Sequence, residues 1–262
     1  MYNRIALVSH PICLQRRIAH YCKQLAIYNY YFNCAQITTM TSKQSYDLSN
    51  IRTKYESEAT AFVEKELASR DDPISQFHAW LEAAKEFGIV EPNAMTLATC
   101  TSDGKPSSRT VLLKGYGSDG IKFYTNYESR KGQQLISNPQ AAILFYWPPL
   151  HRQVRIEGTV EKLSKDESEK YFHSRPRDSQ ISAAISNQST AIPNRQYLLD
   201  KWNDLNKKYP EPNEIPKPDY WGGFLLKPNY FEFWQGQTNR LHDRICFELT
   251  NESKWILNRL SP

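Results

Sequence analysis

The stretch AMTLATCTSDGKPSSRTVLLKGYGSDGIKFYTN, residues 94–126, decides the fold. Three short runs in it, AMTLATC (94–100), SRTVLLK (108–114) and IKFYTN (121–126), are rich in β-branched or aromatic residues. SDGK and GSDG between them are turn signals, so the pattern predicts an antiparallel meander. On the N-terminal side, DDPISQFHAWLEAAKEFG (71–88) has a helical period. Ile74, Phe77, Trp80, Leu81 and Ala84 share one face, Asp71 or Asp72 can cap, Pro73 suits the first turn and Gly88 the exit. On the C-terminal side follow a short helix at SRKGQQLISN (129–138) and strands at AAILFYW (141–147) and RQVRIEGTVEKLS (152–164). Residues 165–209 read as helical, PEPNEIPKP (210–218) as a Pro-rich connector, and strands are expected near 222–227, 230–235, 244–249 and 254–258. Strands first, helices inserted and strands last predict an α+β chain on an antiparallel barrel or sheet.

The bulk composition narrows the function classes. The chain has 262 residues, 40% hydrophobic and 23% charged, as an ordinary globular protein has. The aromatic share of 13%, with 16 Tyr and 6 Trp, favours strands and flat ligand surfaces. No run of 18 apolar residues occurs, so no membrane span is expected. The formal charge of +5 arises in residues 1–46, which hold Arg4, Arg16, Arg17, Lys23 and Lys43 and no acid. Without those five, the 33 basic residues become 28, equal to the 28 acidic ones. Nucleic-acid binding driven by global charge is therefore not expected. Residues 1–46 fit either a mitochondrial transit peptide or an N-terminal extension with Met40 as a second start, and residues 47–262 the folded domain. The five cysteines are odd in number and irregularly spaced, with no CxxC. That predicts no disulfide framework, no metal site and a reducing compartment, the cytoplasm or, if the leader is real, the mitochondrion.

No GxGxxG, GxxxxGK[ST], HExxH or GxSxG is present, so the chemistry must be read from placed cations. Arg109 and Lys114 bracket RTVLLK. Alternation puts Arg109, Val111 and Leu113 on one face and Thr110, Leu112 and Lys114 on the other. Solvated strand-end charges are the bland alternative. Arg130 and Lys131 open the helix after NYES, where free N–H groups and two cations suit a phosphate; a flexible basic turn is the competitor. YFHSRPRDSQ (171–180) brings Tyr171, Arg175 and Ser179, donors for a phosphate or merely a surface helix end broken by Pro176. WQGQTNRLHDR (234–244) is polar between apolar NYFEFW and ICFEL. On an extended chain Arg240, His242 and Arg244 share a face and repel unless an anion lies between them, beside the flat surface of Trp234. His242 taken alone also suits a structural histidine.

In this order, RTVLLK, FYTNYESRKG, FYWPPLHRQVRIEG, YFHSRPRDSQI, Gln188-Ser189, WGGF and EFWQGQTNRLHDR closely resemble the pyridoxamine 5′-phosphate oxidase family, and the closing NRLSP is similar to its C-terminal end. The resemblance runs from Arg52 to Pro262; the residues before it match no family motif. It implies an antiparallel split β-barrel with flanking helices, non-covalent FMN, and a homodimer with sites at the subunit interface. It further implies oxidation of pyridoxine or pyridoxamine 5′-phosphate to pyridoxal 5′-phosphate, with O2 reduced to H2O2 and ammonia released from the amine. By motif, FMN contacts fall on Arg109, Thr110, Val111, Leu112, Lys114, Tyr124, Thr125, Arg130, Lys131, Gln153, Gln188, Ser189, Trp234 and Arg244. The substrate phosphate falls to Lys114, Tyr171, Arg175 and Ser179, and the pyridine to Arg240, Leu241 and His242. Arg240 and His242 are the catalytic pair implied, and Arg52 and Tyr55 in IRTKY resemble a segment that closes over the substrate. The rivals are a split-barrel flavin reductase, against which the substrate-phosphate set argues, and a non-catalytic pyridoxal phosphate or flavin carrier, against which the intact RLHDR argues.

Overall fold

A computed structural model describes residues 48–49, 61–238 and 240–262. Its helices are α1 (Pro73–Glu86), α2 (Arg130–Ser137), α3 (Lys165–Ser174), α4 (Arg177–Ile185) and α5 (Arg195–Lys208). Its strands are β1 (Ala94–Cys100), β2 (Pro106–Leu112), β3 (Gly115–Gly117), β4 (Gly120–Asn126), β5 (Gln140–Trp147), β6 (Arg152–Lys162), β7 (Trp221–Gln235), β8 (Asp243–Leu249) and β9 (Trp255–Arg259). All pair antiparallel in one curled sheet, ordered β2-β1-β5-β6-β7-β4-β3, with β8 on β7 and β9 on β8. The helices flank it, giving the α+β split barrel expected of the sequence. No described helix is long and apolar enough to cross a membrane. The expected leader or extension, residues 1–46, lies outside the described residues.

Two sequence expectations are corrected. The run 94–126 is not a meander. β1 and β2 form one hairpin and β3 and β4 another, but β4 pairs with β7 and, among the described residues, no ladder joins β2 to β4. The turn signals identify the local hairpins and carry no information about distant pairing. The burial of β4 explains its place: Ile121, Phe123, Thr125 and Asn126 are all buried, which an inner strand permits, whereas β2 alternates exposed and half-buried positions. The second correction concerns the two strands expected at 222–227 and 230–235, which are one continuous strand, β7. Pro228 sits inside it at a bulge, where the β6 register shifts between Glu157 and Gly158. A proline has no N–H to give a ladder, and a bulge accommodates that loss. Gly158 faces this point, and a Cβ there would lie 2.1 Å from the Lys227 carbonyl oxygen.

β7 is also where the sheet forks. Its first half pairs with β4 and its second half with β8, while β6 runs along its other edge from Phe224 to Gln235. The main core fills the curl of the sheet. Asp72 caps α1 by accepting from the Ile74 and Ser75 N–H groups, and of the expected apolar face Phe77, Trp80, Leu81 and Ala84 are buried and Ile74 is half-buried. Phe77 meets Phe145 at 5.0 Å between centroids and Trp80 meets Phe233 at 5.4 Å. A smaller cluster of Phe172, Ile181, Ile215 and Trp221 ties α3, α4 and the Pro-rich connector to the start of β7. That cluster holds the helical segment against the β4 end of the sheet.

Candidate functional site

A cavity of about 580 Å³ opens where β2 and β4 face α3 and α4. From β2 and its exit it takes Arg109, Thr110, Val111, Leu112 and Lys114; from β4, Tyr124 and Thr125; from α2, Lys131. The helical segment adds Tyr171, Arg175, Ser179 and Gln188. Twelve residues singled out from the sequence thus line one volume, of a size usual for small-molecule and cofactor sites.

Arg109 and Lys131 are held by neutral groups. Arg109 Nη1 donates to the Leu97 carbonyl at 3.1 Å and to Thr99 Oγ1 at 2.6 Å, and Nη2 to Ser107 Oγ at 2.7 Å. Both hydroxyls in turn donate to Oε1 of the buried Gln134 on α2, at 2.6 and 2.8 Å. Lys131 Nζ donates to Gln188 Oε1 at 2.7 Å and Thr125 Oγ1 at 3.1 Å. Burial, and then the charge of Arg109, push the Lys131 ammonium down to about 8. Arg175 lies over the Trp221 ring at 4.7 Å, its pKa is pushed down by burial, and its Nη1 is buried without a hydrogen-bond partner. The lining contains four cations, Arg109, Lys114, Lys131 and Arg175, and no carboxylate. Desolvated cations without a counter-charge are costly, and an anionic ligand removes that cost.

The cavity also has aromatic walls. The Tyr124 and Tyr171 rings stack at 3.8 Å, and Trp221 lies parallel to Tyr171 at 6.2 Å. Burial pushes the Tyr124 hydroxyl up to about 12, so it stays a neutral donor. Gly223 makes room for this stack, since a Cβ there would meet the Tyr124 ring at 2.7 Å. Trp221, Asn126, Ser182 and Ser186 also line the cavity and escaped the sequence reading. The signal for Trp221 lay in WGGF, whose glycines mark close packing.

Gln153, Trp234 and Arg244 do not reach this cavity. They line a second one of about 270 Å³ on β6, β7 and β8, with Leu144, Arg155, Glu232 and the C-terminal Pro262. The two share no lining residue. Cross-strand register sets Tyr146, Gln153, Trp234 and Arg244 in one row. Glu232, which sequence reasoning missed, accepts from Arg155 Nη2 and Arg244 Nε, both at 2.7 Å. Burial pushes its carboxyl up, but the hydrogen bonds from Arg244 and Arg155 outweigh that and hold it below the usual carboxylate range. Arg244 Nη1 also donates to the Ser261 carbonyl at 2.8 Å.

The shared face expected of Arg240, His242 and Arg244 is not observed. Gln235 pairs with Asp243, so the chain must reverse within residues 236–242, and Arg240 has φ +66° rather than an extended conformation. Arg244 lies on β8, whereas Arg240 and the exposed Leu241 lie in the turn. His242 packs against Trp234 at 4.8 Å, and its Nδ1 accepts from the Gln237 N–H at 2.9 Å. Repulsion among the three is relieved by bending the chain. Arg130 is exposed at the start of α2 and Ser189 is exposed beside Gln188; neither lines the first cavity, although the charge of Arg130 reaches Arg109. Arg52 and Tyr55 lie outside the described residues. Among the described residues no group of three or more His, Cys, Asp or Glu could hold a metal ion.

Comparison with known proteins gives consistent matches. A family model described as pyridoxamine 5′-phosphate oxidase matches residues 81–208, and one described as the pyridoxine 5′-phosphate oxidase C-terminal dimerisation region matches residues 221–262. The chain is 54% identical over 231 residues to pyridoxine-5′-phosphate oxidase of Bos taurus, covering 82% of this chain and 88% of that one. Among solved structures it is similar to PhzG from Burkholderia lata 383, in complex with tetrahydrophenazine-1-carboxylic acid. That likeness has a TM-score of 0.72 and 30% identity, over 78% of this chain and 98% of PhzG. A pyridoxamine 5′-phosphate oxidase-related, FMN binding protein from Nostoc punctiforme PCC 73102 shares the fold, with TM-score 0.57 and 18% identity over 71% and 96% of the two chains.

Proposed function

The chain belongs to the pyridoxamine 5′-phosphate oxidase family, and from that premise we propose that it binds FMN and oxidises pyridoxine and pyridoxamine 5′-phosphates to pyridoxal 5′-phosphate. The observation that carries this reading is the first cavity, with four cations, aromatic walls and no carboxylate. Both ligands are phosphorylated aromatic compounds, and this lining complements two phosphates and two ring systems.

FMN fits the residues present. Burial and Arg109 weaken the hold of Lys131 on its proton, and a phosphate beside it strengthens that hold. We assign Arg109, Thr110, Val111, Leu112, Lys114, Tyr124, Thr125, Arg130, Lys131, Gln188 and Ser189 to the flavin from one subunit. Gln153, Trp234 and Arg244 then reach it across a homodimer interface. Two observations support that division: the cavities share no residue, and Glu232, Trp234, Arg244 and Pro262 of the second lie in the segment matching the dimerisation region. The sheet face around it carries Leu144 and the exposed Tyr146, apolar surface that a second copy can cover.

When bound, FMN would supply the redox chemistry, a two-electron oxidation of the substrate at its C4′ carbon with O2 as final acceptor and H2O2 as product. The chain's own residues bind, orient and exclude water. Lys114, Tyr171, Arg175 and Ser179 hold the substrate phosphate, Arg175 with the buried Nη1 that has no partner of its own. We assign Arg240 to polarising the pyridine and His242 to orienting it, with Leu241 between them, and Arg52 and Tyr55, outside the described residues, to substrate binding. A substrate without phosphate leaves Arg175 unsatisfied. The test is peroxide formation with pyridoxine 5′-phosphate against pyridoxine. A kcat/KM at least about 100-fold higher for the phosphate ester is expected, because a site built to bond a group rejects the analogue lacking it. Equal values would contradict the assignment.

A further inference from the structure

Gln237, in the turn between β7 and β8, is bonded twice. Its backbone N–H donates to His242 Nδ1 at 2.9 Å, and its side-chain Nε2 donates to Asp243 Oδ2 at 2.7 Å. A backbone amide can only donate, so Nδ1 must be the accepting nitrogen. The neutral ring then carries its proton on Nε2. Protonating Nδ1 would set one N–H against another and cost the bond.

Asp243 is held from three directions. Oδ2 also accepts from the Phe62 N–H at 3.0 Å, and Oδ1 accepts from Arg259 Nη1 at 2.8 Å. Arg259 continues to the Phe62 carbonyl at 2.9 Å and to Glu64 at 2.8 Å. One nearly buried carboxylate therefore joins residues 62–64, the turn and β9. Its bond to Gln237 is the one that reaches the candidate catalytic loop. The Trp234 ring, 4.8 Å away and tilted by 41°, limits the rotation of the imidazole.

We propose that Gln237 is a positioning residue which, anchored by Asp243, locks His242 as the neutral Nε2–H tautomer. His242 thereby presents a hydrogen-bond donor, not a base, to an acceptor on the pyridine such as its ring phenolate oxygen. The proposal rests on the placement of His242 over the substrate given above. Burial and the neighbouring Arg240 both lower the His242 pKa against the opposing pull of Asp243, which agrees with a neutral ring.

The test uses the FMN-loaded full chain with isotope-labelled histidine, reading ring-nitrogen chemical shifts by NMR near neutral pH. The His242 signal is identified by its loss in His242→Asn. The expected result in the wild type is a single Nε2–H tautomer. Gln237→Leu keeps the backbone N–H but removes the side-chain bond that anchors the turn to Asp243. It should shift His242 towards a tautomer mixture and lower kcat on the order of 10-fold, with KM for pyridoxine 5′-phosphate changed much less. A wild-type His242 with its proton on Nδ1, or already mixed, overturns the proposal without any variant. An unchanged His242 signal in Gln237→Leu overturns the role of Gln237. The NMR signal is read without substrate, so it is independent of the substrate reading, which turnover of His242→Asn tests.

Discussion

Lys131 carries a consequence of its burial into pH dependence. Desolvation and Arg109 bring its pKa to about 8, from 10.5 for a free lysine. The flavin-free protein therefore loses this charge as pH rises through about 8. The FMN phosphate becomes fully dianionic only above about pH 6. FMN affinity should peak between these limits and weaken above pH 8, and Lys131→Met should remove the upper limb. A wild-type Kd, from quenching of flavin fluorescence, that stays flat through pH 8 would contradict this. Stability has the opposite sign. The unfolded chain binds the Lys131 proton up to 10.5, so the apo protein gains stability relative to Lys131→Met as pH rises from about 8 towards 10.5. At this scale much of the candidate site was legible, because Arg109 is a cation within a strand and Lys131 and Arg175 stand at helix ends, where a charge meets a ligand or water. Glu232 was not, since an acid between Phe231 and Phe233 reads as the solvent-facing residue of an alternating strand. Only the pairing of β6 and β8 with β7 places Arg155 and Arg244 on it.

Helix and strand identities follow from periodicity and capping, as at α1 with Asp72, Pro73 and its buried face. What periodicity cannot supply is partnership across the sheet. The 94–126 run contains two sound hairpins whose relation is settled far away, by β7 passing between β6 and β4. Likewise the reading of two strands, 222–227 and 230–235, misses that Pro228 is tolerated within one, because the Gly158 that faces it is distant in sequence. Gly158→Ala should therefore destabilise the protein by about 1–3 kcal/mol, since the added Cβ meets the Lys227 carbonyl oxygen and β6 must shift. Thermal unfolding of the flavin-loaded protein reads this as a Tm lower by several degrees. An unchanged Tm would show that the bulge relaxes freely. The turn after β7 was misread for the same reason: alternation assumed an extended chain at Arg240, and the Gln235–Asp243 pairing forbids it.

For the molecule as a whole, the division between two cavities of the residues proposed to bind the flavin is the main consequence. If each site joins the first cavity of one subunit to the second cavity of another, two separately inactive variants should complement. Mixing Arg175→Ala with Trp234→Ala subunits, after dissociation and reassociation, should restore roughly a quarter of wild-type activity, from one intact site in half of the dimers. No recovery despite verified mixed dimers would place both cavities' work within one chain. The family, the cofactor class and the split barrel were all legible in the motifs; the division was not, because motif order says nothing about which surfaces lie apart. The central claim is that a phosphorylated pyridine is the electron donor to a bound flavin. Anaerobic mixing of the FMN-loaded protein with pyridoxine 5′-phosphate measures this directly through the oxidised-flavin absorbance. The account predicts bleaching by pyridoxine 5′-phosphate and recovery of the colour, with peroxide, when O2 is admitted. Flavin that stays oxidised with pyridoxine 5′-phosphate yet bleaches with a reduced nicotinamide nucleotide would contradict it and identify a flavin reductase.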